Sequence, residues 1–254
     1  TARFVKDESK WFTVTYNTDG NGTIDGQKTA VVKSDLLDGS AFPSSPAVAA
    51  DYGYQFDGWY EGSTKVDAFP TTVTESKEYT ARFVKDESKW FTITFRTEEH
   101  GKINGGKTDI VHSEILDGSV FPGRPTATAD PGYLTDGWYD GNNKIIKFPE
   151  TVTESKTYVL KCVKDPSQWF TVTYKTDGNG TIDGQKEPVE KTDLLRGSAF
   201  PAQPAVEADH GYQFDGWYEG STKVDAFPTA VTESKEYTAR FVKDESKWFT
   251  VTYN

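Results

Sequence analysis

Bulky and hydroxyl side chains alternate at residues 12–16 (Phe-Thr-Val-Thr-Tyr), and the same two-residue period returns at 91–95 and 170–174. Such alternation gives a strand one face toward a core and one toward water, so each segment is expected to be a half-buried strand. The Gly-rich run Asp19-Gly20-Asn21-Gly22 then predicts a hairpin into 23–32. Residues 34–39 (Ser-Asp-Leu-Leu-Asp-Gly) place a hydroxyl at an N-cap position and a glycine at the end, which predicts a turn or two of helix, echoed at 113–118 and 192–197. Phe42-Pro43 and Pro46 interrupt the chain before a strand over 54–60 that turns at Glu61-Gly62. A turn at 74–77 leads into a last strand, in which Tyr79, Ala81 and Phe83 share one face. The unit is therefore expected to be mostly β with one short helix.

This unit is repeated. Trp11, Trp90, Trp169 and Trp248 open the same pattern at intervals of 79 residues. The expected organisation is 1–10 as the tail of a preceding repeat, 11–89 as repeat 1, 90–168 as a divergent repeat 2, 169–247 as repeat 3, and 248–254 as the start of a following repeat. Residues 1–17 recur letter for letter as 238–254, so both ends are expected to be cut inside a longer array. Repeats 1 and 3 are nearly the same text, and the residues flanking each match an A-B-A order. Between repeats 1 and 2 lies Lys85-Asp-Glu-Ser-Lys89, a charged connection too short to act as a loose tether. Two roles are open for the junction tryptophans Trp11, Trp90, Trp169 and Trp248: packing at the boundary to stiffen the array, or filling each repeat's own core.

Several motifs together resemble a known family. They are F-T-V-T-Y before a Gly-rich turn; G-S-x-F-P-x-x-P at 39–46, 118–125 and 197–204; G-Y-x-x-D-G-W-Y at 53–60, 132–139 and 211–218; and a closing V-T-E-S-K-x-Y. This combination resembles the Listeria-Bacteroides repeat, the B-repeat of internalin-type surface proteins, over every repeat from end to end. The resemblance implies α+β, mostly β architecture, with tandem β-grasp (ubiquitin-like) modules arranged end to end as an elongated rod in a bacterial cell-surface or secreted protein. Its distinctive residues are Gly53, Tyr54, Gly58, Trp59 and Tyr60; Gly132, Tyr133, Gly137, Trp138 and Tyr139; and Gly211, Tyr212, Gly216, Trp217 and Tyr218. An element so hydrophobic is expected to define the core, with a binding platform as the alternative. Repeat 2 departs from the pattern with Leu134-Thr135 for Gln-Phe and Cys162 for Phe, so its core must be repacked.

Composition narrows the functions. A net charge of −11 repels nucleic acid and anionic lipid. No segment approaches the roughly 18 apolar residues of a membrane span. With 7 Trp, 13 Tyr and 16 Phe, small modules can still build cores despite 35% hydrophobic content. The single cysteine excludes an internal disulfide framework and any zinc site built on several cysteines.

Two motifs imitate chemistry. Residues 17–28 resemble a calcium loop, but its bidentate Glu position holds Lys28, Lys107 and Lys186, and its first position becomes Arg96 and Lys175. Residues 101–108 match G-x-x-x-x-G-K-T, yet residues 108–112 read as strand, where a phosphate cradle needs a helix. His100, His112 and His210 fall at unrelated repeat positions, so no histidine site is repeated. No catalytic residue, metal ligand or cofactor is expected. The function expected is a stalk or spacer that projects a distal domain, with neighbouring repeats as partners. The alternative is a multivalent adhesive array binding glycan or host protein weakly through each repeat.

Overall fold

The computed structural model describes residues 1–252; the segment 248–254 thus reaches two residues beyond the described part. In the first repeat the strands are β1 (Trp11–Thr18), β2 (Gly22–Ile24), β3 (Val31–Leu37), β4 (Val48–Ala50), β5 (Tyr54–Glu61), β6 (Thr64–Lys65) and β7 (Lys77–Lys85). The second carries β8 (Trp90–Thr97), β9 (Gly101–Ile103), β10 (Ile110–Leu116), β11 (Ala127–Ala129), β12 (Tyr133–Asp140), β13 (Asn143–Lys144) and β14 (Lys156–Lys164). The third carries β15 (Trp169–Thr176), β16 (Gly180–Ile182), β17 (Val189–Leu195), β18 (Val206–Ala208), β19 (Tyr212–Glu219), β20 (Thr222–Lys223) and β21 (Lys235–Lys243).

Five strands of the first repeat form one sheet in the order β3-β1-β7-β5-β6, and β2 with β4 forms a separate two-stranded ribbon. The long first and last strands, β1 and β7, run parallel at the centre, with Tyr16 opposite Tyr79. All other pairs are antiparallel. The third repeat has the same order, β17-β15-β21-β19-β20, and the second β10-β8-β14-β12-β13.

One sheet face carries the core. Val14 and Tyr16 from β1, Trp59 from β5 and Tyr79, Ala81 and Phe83 from β7 are buried together with Ile24 of the ribbon, and Phe42, Val48 and Phe69 pack against them from the covering segments. The alternation in β1 and β7 puts these side chains on one side because successive Cβ atoms point to opposite faces. Aromatic rings fill most of the volume: Trp59 meets Tyr16 edge-on at 5.2 Å, and Phe69 meets Tyr79 at 4.9 Å. The Tyr16 hydroxyl is not stranded, since it donates to the Pro43 carbonyl at 3.2 Å.

The expected helix is absent. Residues 34–37 complete β3, and the described residues contain no α-helix, only short 3₁₀ turns such as Glu87–Lys89. Lys33 lies opposite Val14 and Leu36 opposite Phe12, which sets two residues against the single Thr13, so Ser34-Asp35 forms a bulge. Asp35 takes the left-handed conformation (φ 55°), as do Glu114 (57°) and Asp193 (55°). The bulge returns Leu36 to the core face, and pairing with β1 outweighs the local capping pattern that suggested a helix.

The expected hairpin from 19–22 into 23–32 also differs. β2 ends at Ile24, pairs with β4, and turns at Asp25-Gly26, whose positive φ values of 47° and 75° with reciprocal Ile24–Gln27 hydrogen bonds make a two-residue type I′ turn. The Asp-Gly pair carried that signal in the sequence.

The divergent repeat is repacked as expected. Phe83 and Ala81 of β7 correspond to Cys162 and Leu160 of β14; Leu160 is 1% exposed, and Cys162 is half-buried with its thiol pKa pushed up by burial. One larger and one smaller side chain thus offset each other on adjacent inward positions. The Phe56–Phe83 ring pair becomes Thr135 opposite Cys162, and His100 stacks on Tyr133 at 3.8 Å.

Candidate functional site: the junction between repeats

The G-Y-x-x-D-G-W-Y segment divides its residues among three environments. Its middle is a second bulge: Phe56 faces Phe83 and Trp59 faces Ala81, with Asp57 and Gly58 of β5 against the single Arg82 of β7. Without it, Phe56 and Trp59 would lie on opposite faces; with it, both lie on the core side of the sheet and their rings meet at 6.2 Å, although Phe56 at the edge stays 38% exposed. Gly58 sits at the bulge with φ 154°, and a Cβ there would come within 2.6 Å of the Lys65 side chain. Trp59, Trp138 and Trp217 are 8%, 6% and 6% exposed.

Tyr60 lies on the other face. Its hydroxyl donates to Asp57 at 2.5 Å, Lys65 binds the second oxygen of Asp57 at 2.9 Å, and the Arg82 guanidinium covers the ring at 4.3 Å. The hydroxyl and ammonium hold the Asp57 carboxyl below its usual range, and the same bond raises the Tyr60 pKa. Tyr218 repeats the arrangement with Asp215, Lys223 and Arg240, and Tyr139 does so with Asp136 and Lys161.

Gly53 and Tyr54 lie at the end of the repeat, where the next one begins. β7 runs through Lys85 into the Glu87–Lys89 turn, capped by the Asp86 side chain, which accepts from the Ser88 amide at 3.1 Å, and β8 opens at Trp90. The Ser88 hydroxyl and amide lower the Asp86 pKa. The Gly53 carbonyl accepts two hydrogen bonds, from the Asp86 amide at 2.9 Å and from the Trp90 indole Nε1–H at 2.7 Å. Tyr54 meets the indole edge-on at 5.7 Å, and Lys85 lies over it at 4.7 Å while also pairing with Glu114. Gly53 has φ 89°, and an added Cβ would fall 2.4 Å from Leu116 Cδ1 and 3.2 Å from the indole nitrogen. Here glycine serves both the left-handed backbone and the close approach. The rim is polar: the Tyr52 hydroxyl donates to Asp117 at 2.5 Å, and the Lys89 ammonium lies 4.0 Å from the same carboxylate. That bond raises the Tyr52 pKa.

The next junction repeats the frame. Trp169 donates to the Gly132 carbonyl at 2.7 Å, Asp165 N–H does so at 2.9 Å, Tyr133 meets the indole at 5.7 Å, and Lys164 lies over it while pairing with Asp193 at 2.6 Å. Trp248 donates to the Gly211 carbonyl at 2.7 Å although residues 248–252 form no strand, and Lys6 covers Trp11 at 4.6 Å. Sequence reading singled out these tryptophans and glycines but missed the carbonyl that joins them, because no residue pattern reports a hydrogen-bond partner 37 positions away.

The calcium-like loop holds its own cation. The Lys28 ammonium bonds the Gly20 carbonyl at 2.8 Å and Asp51 at 2.5 Å, and Lys186 does the same with Gly178 and Asp209. Asp19 is committed to the amides of Asn21 and Phe83. Past the G-x-x-x-x-G-K-T motif the chain enters β10, not a helix. Among the described residues no group of three or more His, Cys, Asp or Glu is placed to hold a metal ion, and no helix is long and apolar enough to cross a membrane.

The family model of the Listeria-Bacteroides repeat domain matches residues 12–81 and 170–239. Those matches span the sheets of the first and third repeats and cover more than half of the sequence; the family is typical of bacterial surface proteins and is not a known enzyme family. The chain, with its Gly-Trp-Tyr strands and tandem sheets, belongs to the Listeria-Bacteroides repeat family.

Proposed function

We propose that the chain is a non-catalytic stalk of a bacterial cell-surface or secreted protein, in which successive repeats are docked on one another to hold a distal domain at a distance. The supporting observation is the junction itself. A glycine carbonyl that takes both a backbone amide and the next repeat's indole turns a short connection into a hydrogen-bonded splice. Trp248 makes the same bond without a strand of its own, which favours the boundary role for these tryptophans over the purely internal one. In this reading each 79-residue repeat (11–89, 90–168, 169–247) is one module, with 1–10 and 248–254 belonging to its neighbours. Each module is a β-grasp unit that has lost its helix, a view supported by the parallel pairing of first and last long strands at the sheet centre. An adhesive array is less favoured, because Trp59 is buried and Arg82 covers the Tyr60 ring. The net charge of −11 opposes nucleic-acid binding.

Small-angle scattering tests the stalk. A compact 254-residue chain has a radius of gyration of about 18 Å. Three modules, each roughly 30 Å across and laid end to end, give about 30 Å. A value near the compact figure refutes the stalk.

A further inference from the structure

The backbone of the junction is constant while one pair of side chains changes. The residue just before Trp11, Trp90 and Trp169 offers its carbonyl to an amide of the repeat that follows: Lys10 to Asp38, Lys89 to Asp117 and Gln168 to Arg196, each at 2.8 Å. This bond fixes the two side chains beside each other. In the first two cases they are opposite charges, with Lys10 3.2 Å from Asp38 and Lys89 4.0 Å from Asp117. In the third, the lysine has become Gln168 and the aspartate Arg196, whose guanidinium turns to the Ser167 carbonyl at 3.5 Å and lies over Phe170 at 4.9 Å. A third position changes in step: Tyr52, which donates to Asp117, is replaced by Pro131, which has no donor to offer.

We propose that these positions form a pairing code that decides which repeat docks onto which: a linker ending in lysine accepts a repeat presenting aspartate, and a linker ending in glutamine accepts one presenting arginine. The inference rests on the docked junction proposed above. A repeat presenting Arg196 behind a linker ending in Lys89 sets two cations against each other and leaves the Tyr52 hydroxyl without its carboxylate. Specificity thus comes from repulsion against the wrong neighbour as well as attraction to the right one. In a chain whose first and third repeats are nearly identical, the code penalises direct docking of the third repeat on the first and favours the alternating order.

A double-mutant cycle in the intact chain tests this, with Gln168→Lys, Arg196→Asp and the pair together. Hydrogen exchange is read at the amide of residue 196 and at the Trp169 indole. Gln168→Lys lowers protection by about two- to fivefold, the range of exposed charge pairs. The double variant restores or exceeds the original protection, and this coupling shrinks in 1 M salt, where screening acts within about 3 Å. Additive effects of the two substitutions, with Trp169 still protected, overturn the code and leave the docked junction standing. An unprotected Trp169 indole in the unaltered chain overturns the docked junction, and the code with it.

Discussion

Replacing Gly53 by alanine isolates what the junction contributes. The new Cβ meets two costs. The left-handed backbone at φ 89° penalises any L side chain by about 1–2 kcal/mol. The methyl also lies 2.4 Å from Leu116 Cδ1 and 3.2 Å from the Trp90 nitrogen. Leu116 can rotate away, but the indole must give by a few tenths of an ångström, which lengthens its 2.7 Å bond to the Gly53 carbonyl and costs up to about 1 kcal/mol. Together these destabilise the docked junction by about 1–3 kcal/mol, or roughly 5- to 140-fold in its opening equilibrium at about 1.4 kcal/mol per tenfold. Exchange of the Trp90 indole proton in the intact chain reads that change, down to the intrinsic rate if the junction opens fully, while the Trp169 indole stays as it was. Gly62→Ala is the matched control: Gly62 is also left-handed, at φ 58°, but its Cβ would meet nothing within 4 Å. Equal effects of the two variants on Trp90 would show that Gly53 matters only for its backbone, and the contact argument would fail.

The same geometry sets other expectations. Trp138→Ala removes a side chain that is 6% exposed and should cost its repeat about 3–5 kcal/mol in denaturant unfolding, with an unchanged profile placing the ring outside the core. Calorimetry should detect no sub-millimolar calcium binding at residues 17–28, where Lys28 already neutralises Asp51; binding abolished by Asp19→Ala would contradict this. Burial pushes the Tyr16 and Tyr174 pKa values up to about 12, above the ordinary value of 10.0. The neutral phenol is thus favoured in the fold and the unfolded chain releases its proton first, so stability is full below pH 10 and falls as pH rises toward 12. The second repeat has Phe95 at that position and should lose less, which thermal melts between those pH values can resolve by comparing Tyr16→Phe with the unaltered chain.

What the sequence determined by itself is what short-range patterns carry. The 79-residue period and the strands at 12–16 and 79–83 with their buried faces rest on residue types at fixed spacings. The tertiary structure decided everything that depends on a partner far along the chain. Ser34-Asp35 looks like a helix cap in isolation and becomes a bulge because β1 lies alongside it; Phe56 and Trp59 share a face only because β7 is one residue shorter across from them. The role of Gly53 depends on an indole that arrives from the next repeat. Periodicity reports which side of a strand is apolar, but pairing, register and docking are set by which distant surfaces meet, and local propensity yields to them because the buried contacts are worth more.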